Sequence, residues 1–235
     1  MSIFTWFTGR KPALTQEQLQ RRECLAAAST LGERPLQQQR FVVLDLETSG
    51  LNMRRDMVLS IGAVVIENAA IDLSQQFECT LQRHDHRASA STLIHGIAPS
   101  EIVNGEDPAQ ALLAFMEFVG DSPLLAFHAE FDQRMLARAL KQSLGYRLQH
   151  TFVDVAEIAP LLCPKAKPTG HGLDAWTQHF GLQVLQRHHA SADALVTAEL
   201  ALILLSKARQ QGLDSLPLLL QQLSSLRRNA YFGPP

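Results

Sequence analysis

The sequence predicts an α/β domain, and three observations carry that reading. These are a set of strand-like apolar runs from residue 41, a change to helical spacing after residue 107, and an alternation of short buried strands with helices beyond it. The first strand is Phe41-Val42-Val43-Leu44-Asp45-Leu46-Glu47-Thr48, whose unbroken apolar opening marks a strand covered on both faces. Met57 to Ile66 and Ile71 to Leu81 are two further β-rich runs, joined by the short polar link Glu67-Asn68-Ala69-Ala70. Three sequential antiparallel strands follow. Asp107-Pro108 supplies an N-cap and a proline at the first helical position, and Leu112, Phe115, Met116 and Val119 keep helical spacing up to Gly120. Pro123 to Phe127 reads as a short strand leading into a helix from Ala129 to Ser143. His150 to Val153 is another strand, followed by a helix from Asp154 to Leu161. The order is β-β-β-α-β-α-β-α. A long helix from Ser191 to Gln211, apolar over most of its circumference, is expected to lie against the sheet.

Segments on either side of this core read as additions: a helical extension over 1–37, the domain itself over 38–206, and a helical tail over 207–235. Thr15-Gln16-Glu17-Gln18 has the capping-box form, so a helix is expected from about 15 to 31, with Gly32 as its stop. The chain has 235 residues, 46% of them apolar and 19% charged, which is a globular balance with enough apolar material for a large core. A formal net charge of −2 argues against a broad basic nucleic-acid footprint but not against a small acidic cleft that grips a strand end. Cys24, Cys79 and Cys163 are too few and too scattered for a disulfide framework or a thiolate zinc site. Met1 to Phe7 is apolar but too short for a signal segment, and no run reaches the roughly 18 apolar residues of a membrane span. No membrane association and a cytoplasmic location are expected.

Asp45 and Glu47 hold the most chemical information. A strand sends residues i and i+2 to one face, so the two carboxylates leave the strand together, and their mutual repulsion calls for a cation or a shared proton. Asp132 and Asp193 each fall in the first turn of an expected helix, where an acid also serves simply to complement the helix dipole. Glu130 reads as a solvated neighbour. His188 stands five residues before Asp193 in the loop entering the long helix; beside carboxylate-bound metal it is a candidate general base.

Asp45-Leu46-Glu47-Thr48-Ser49-Gly50-Leu51, the block ending at Asp132, and His188-x-Ala190-x-x-Asp193 resemble, in order and spacing, the three motifs of the DEDDh 3′–5′ exonucleases, the DnaQ-like family that includes proofreading epsilon subunits of bacterial replicative polymerases. The likeness runs from about 40 to 206; Ile61-Gly62-Ala63-Val64 and Ile94-His95-Gly96-Ile97 agree with it. It implies an RNase H-like fold, a mixed five-stranded sheet of three antiparallel plus two parallel strands flanked by helices. It also implies two Mg²⁺ or Mn²⁺ ions held by Asp45, Glu47, Asp132 and Asp193, with His188 as the base that deprotonates water. By the same resemblance Thr48 contacts the terminal nucleotide through its backbone, Leu51 wedges against the last bases, and His95 lies beside the end being cut. Read as plain sequence, Thr48 is a turn residue and Leu51 a core residue. One departure stands out: His128 occupies the place where the family usually has Asn, and altered substrate contacts are expected there.

The function implied is removal of nucleoside 5′-monophosphates from the 3′ end of single-stranded or frayed DNA, in proofreading or repair. The same catalytic set also serves RNA 3′-end trimming. A different class of reading is a weakly active interaction module of a replication or repair assembly, with a polymerase or sliding clamp as partner; Gln221-Gln222-Leu223-Ser224-Ser225-Leu226 loosely resembles clamp-docking peptides, although it lacks their final Phe. A third is a metal phosphohydrolase acting on small nucleotides. Arg54, Arg55, Lys165, Lys167 and Arg187 are candidate phosphate contacts or simply solvated charges.

Overall fold

A computed structural model of the chain describes residues 13–84, 94–170, 172–184 and 186–232. Its centre is a five-stranded sheet in the order β3-β2-β1-β4-β5, formed by β1 (Phe41–Thr48), β2 (Val58–Glu67), β3 (Ala70–Thr80), β4 (Leu124–Ala126) and β5 (Phe152–Asp154). β1, β2 and β3 pair antiparallel, while β1 with β4 and β4 with β5 pair parallel. β2 and β3 join through Asn68 and Ala69, both at positive φ (52° and 56°), as the tightest hairpin turn requires. Parallel pairs need long crossovers, which the helices supply.

Those helices cover both faces. On one side, Val42, Leu44 and Leu46 of β1 pack with α3 (Pro108–Val119) and α4 (Ala129–Leu144). On the other, Phe41 and Val43 pack with α5 (Val155–Leu162), α6 (Leu173–Phe180), α7 (Ala190–Gln210) and α8 (Leu216–Phe232). Alternate residues of one strand thus feed two cores, the reason β1 reads as continuous apolar sequence. Each large side chain so covered contributes about 1.5–3 kcal/mol.

Most elements fall where the sequence puts them. Asp107 caps α3, accepting hydrogen bonds from the Ala109 and Gln110 N–H groups, and the capping box at Thr15 is formed as well. The first helix, α1 (Gln16–Glu23), however, ends well short of Gly32. Beyond it Leu25 packs on the α3–α4 side and the Ser29 N–H donates to the Asp121 carbonyl, so tertiary contacts override the helix propensity of Ala26-Ala27-Ala28. Two short helices were not expected: α2 (Pro99–Val103) and α6. The latter was legible in the spacing Leu173, Trp176, Thr177, Phe180. At the end of the chain, Leu216, Leu219 and Leu223 of α8 are buried in the core. Leu223 of the clamp-like segment is therefore not presented as a free peptide. Among the described residues no helix is long and apolar enough to cross a membrane.

Candidate active site

Asp45 and Glu47 share the face of β1 that holds Phe41 and Val43, the face crossed by α7. The β1–β2 register slips between Glu47 and Thr48, a bulge that ends regular pairing where the carboxylates emerge. α7 reaches this point because residue 62 is glycine: a Cβ there would lie 2.1 Å from the backbone of Ala190 and Ser191. Glu78 of β3 fixes the same helix start, accepting from Ser191 Oγ at 2.7 Å and lying 3.4 Å from His189 Nε2. Asp193, on the first turn of α7, is thereby delivered to the strand acids. One carboxylate oxygen from each of Asp45, Glu47 and Asp193 lies within 4.8 Å of the others.

Asp132 approaches from the other face on the first turn of α4. It is buried, accepts hydrogen bonds from the Leu46 N–H and its own N–H, and lines the same cleft of about 460 Å³. Crowding of acids in a desolvated place shows in their proton affinities. Burial, then the charges of Asp132, Glu47 and Asp193, hold the Asp45 carboxyl well above its ordinary range. Burial and then Asp193 push Glu47 up to about 7, and burial pushes Asp132 up to about 8 against its backbone hydrogen bonds. The cluster therefore has a large unmet demand for positive charge. A cation already answers part of it, since Arg187 donates to Asp193 and, with its Nε, to Asp174 of α6. An all-oxygen donor set that draws in a guanidinium fits a hard divalent ion such as Mg²⁺ or Mn²⁺.

His188 and His128 flank the cleft from the two helix entrances. His188 has φ 61°, and its N–H donates to Asp193 Oδ2 at 3.0 Å. His128 is the N-cap of α4 in the left-handed region, φ 63° and ψ 48°, with no side-chain cap bond; its N–H donates to Asp154 Oδ1 at 3.0 Å. This accounts for the departure noted in the sequence. Asn and His are both enriched at positive φ, so either residue can occupy this left-handed position.

The remaining expected contacts divide. Leu51 is 84% exposed and lines the cleft, so it is not a core residue. Its loop is set by Asp56, which accepts from Ser49 Oγ and the Asn52 N–H and would clash with any Cβ at Gly50. Thr48 is buried and its hydroxyl donates to the Gly50 carbonyl. The His95 imidazole is also buried, with Nδ1 accepting from the Ile97 N–H at 3.1 Å. Neither lines the cleft. Glu130 is exposed and pairs with Arg134 one turn along α4. Sequence reasoning missed Asp56, which ties its own turn, Asp174, which lies on the unexpected α6, and Glu78, whose role arises from a contact with a segment far along the chain.

Comparison with known proteins agrees with this arrangement. The family model described as Exonuclease matches residues 42–201, a span that contains Asp45, Glu47, Asp132, His188 and Asp193. The DNA polymerase III PolC-type of Bacillus subtilis is 29% identical over 190 residues, 80% of this chain and 13% of the relative. A DNA polymerase III subunit epsilon-like protein of Rhodobacter capsulatus is 30% identical over 190 residues, 80% of this chain and 27% of the relative. The chain thus spans a small part of the length of either. Among solved structures, a zinc-bound complex of E. coli Exonuclease I with single-stranded DNA superposes with a TM-score of 0.62 at 20% identity, covering 75% of this chain and 42% of that one. The cell-death related nuclease 4 does so at 0.63 and 13% identity, covering 74% and 65%. These likenesses share the RNase H-like sheet, and the chain belongs to the exonuclease family, among the DnaQ-like 3′–5′ exonucleases.

Proposed function

We propose that this chain is a divalent-metal-dependent 3′–5′ exonuclease that removes nucleoside 5′-monophosphates from single-stranded or frayed DNA ends. The observation that carries the reading is the convergence of the Asp45, Glu47 and Asp193 oxygens within 4.8 Å on the floor of an open cleft walled by Asp132 and His188. A phosphodiester is an anion, and the described lining carries four acids against the single cation Arg187. Such a lining repels phosphate unless it is charged with metal. Two Mg²⁺ or Mn²⁺ ions would supply charge neutralisation at the phosphate and a lowered pKa for the attacking water. Asp45, Glu47 and Asp193 would hold them, with Asp132 in support.

His188, at the edge of the cleft, takes the proton of the attacking water on an imidazole nitrogen. Exposed Leu51 at the cleft supports contact with the terminal bases, whereas buried Thr48 and His95 can act only through the backbone or through packing. DNA is favoured because the relatives are DNA polymerase III proteins and one structural neighbour is complexed with single-stranded DNA. A polymerase is the corresponding candidate partner, and a cytoplasmic site of action goes with it.

Digestion of 5′-labelled DNA and RNA oligonucleotides of equal sequence tests the reading, with Mg²⁺, Mn²⁺ or EDTA and with Asp45→Ala beside the wild type. A metal-dependent ladder from the 3′ end that is stronger on DNA and lost in the variant is expected. No ladder from either polymer with either metal would overturn it, and a ladder on RNA alone would transfer the activity to RNA trimming.

A further inference from the structure

Arg187 has no role in the chemistry above, yet it is the one arginine or lysine in the described lining of the cleft. It lies in the loop between α6 and α7, 27% exposed, with its guanidinium spanning two carboxylates. Nε donates to Asp174 Oδ1, and Nη1 donates to Asp193 Oδ1. The second oxygen of Asp193, Oδ2, accepts the His188 N–H. Both oxygens of this acid are thus engaged by the segment 187–188, and one belongs to the group of oxygens suited to a metal. A divalent ion joining Asp45, Glu47 and Asp193 competes with the guanidinium for Asp193 and meets it as a like charge a few ångströms away. The planar fork of arginine suits bidentate pairing with carboxylate or phosphate equally well, and the side chain borders the cleft where a phosphate would enter.

We propose that Arg187 is the acidic cluster's own counter-ion, which gives up Asp193 to a divalent cation and turns to a phosphate of the nucleic acid. Asp174 is its outer anchor; exposed on α6, it holds the guanidinium at the rim in either position. The inference rests on the metal-dependent reading above. Its consequence is an exchange: metal binding releases a phosphate-binding fork, so cation and substrate bind cooperatively.

The test is Mn²⁺ titration into EDTA-stripped protein without nucleic acid, followed by calorimetry and by the paramagnetic signal of free Mn²⁺, for wild type, Arg187→Met and Arg187→Lys. Removing the competitor makes Mn²⁺ bind about tenfold more tightly in Arg187→Met, with Arg187→Lys between it and the wild type. In steady-state digestion, KM for an oligonucleotide rises in Arg187→Met more than kcat falls. A thermal melt in EDTA checks that each variant is folded, and Arg187→Lys keeps the test open if Arg187→Met is not. Unchanged or weaker Mn²⁺ binding in a folded variant overturns the proposal and leaves Arg187 as a loop strut. Failure of the wild type to bind Mn²⁺ at all instead overturns the metal-dependent function.

Discussion

The entrances to α4 and α7 are built alike and charged differently. Each helix follows a histidine at positive φ, the N-cap His128 at α4 and, at α7, His188 one residue before the extended N-cap His189; each lacks a side-chain N-cap bond and presents an aspartate from its first turn to the end of β1. At α7 the aspartate meets a guanidinium and the His188 N–H. At α4 Asp132 meets backbone N–H groups alone and is pushed up to about 8 by burial. The lesson is that one backbone device can deliver a carboxylate to a site while counter-charge is supplied separately, and at one entrance only. α7 therefore presents an acid already paired with a guanidinium, while α4 holds an acid whose charge waits for a cation.

The largest effects expected come from breaking each entrance in turn. Asp193→Asn and Asp132→Asn both lower exonuclease activity roughly 10³-fold, and His188→Asn, which tolerates the same backbone, lowers it ~10²–10⁴-fold. Stability separates the first two. Asp193→Asn leaves Arg187 with Asp174 alone and costs about 1–2 kcal/mol, whereas Asp132→Asn removes a buried charge and stabilises the chain in EDTA at pH 8 by about the same amount. Since the folded chain raises Glu47 to about 7 and Asp132 to about 8, it retains protons that the unfolded chain has already lost. Stability then falls as pH rises from the ordinary carboxylate range through those values. Melting in EDTA from pH 5 to 8 is expected to show a declining Tm that Asp132→Asn flattens; a Tm that rises over this range would refute the charge assignment.

Next in size is the contact that aims α7. Gly62→Ala puts a Cβ against the backbone at 190 and 191, with no flexible side chain to yield. A loss of about 3 kcal/mol is expected, with activity falling further than stability because His188 and Asp193 move together. A melt and an assay at one temperature check this; an active, stable variant would mean that α7 is positioned by Glu78 and the core instead.

Much of this was legible in the sequence, for a physical reason. The fold follows from periodicity: β1 is apolar throughout because two cores share it, and α3 and α4 follow from caps and spacing. The acids were found because motif order constrains them. Legibility failed where one segment's meaning depends on another. Residue type does not distinguish Leu51 as a core leucine or an exposed one, and the side-chain bonds by which Asp56 ties the turn around it are not visible in hydrophobic periodicity. Ala26-Ala27-Ala28 favours helix until Leu25 and Ser29 are drawn to α3 and its C-terminal turn. Arg187 could be read as a solvated charge because Asp174 lies on a helix that was not anticipated.

The smallest effect, and the one that sharpens the comparison most, concerns His128. If the position is held for its backbone, with the N–H donated to Asp154 and φ at 63°, then residues tolerant of that region should be interchangeable. His128→Asn is expected to keep activity within about threefold and Tm within about 2 °C, while His128→Ala loses about 1 kcal/mol by placing an unassisted Cβ in the left-handed region. At His188, by contrast, the equally tolerant Asn is predicted to be nearly inactive. Melts and initial rates for the three variants decide it. A large activity loss in His128→Asn without loss of stability would show that the imidazole touches substrate, and that both entrances carry chemistry.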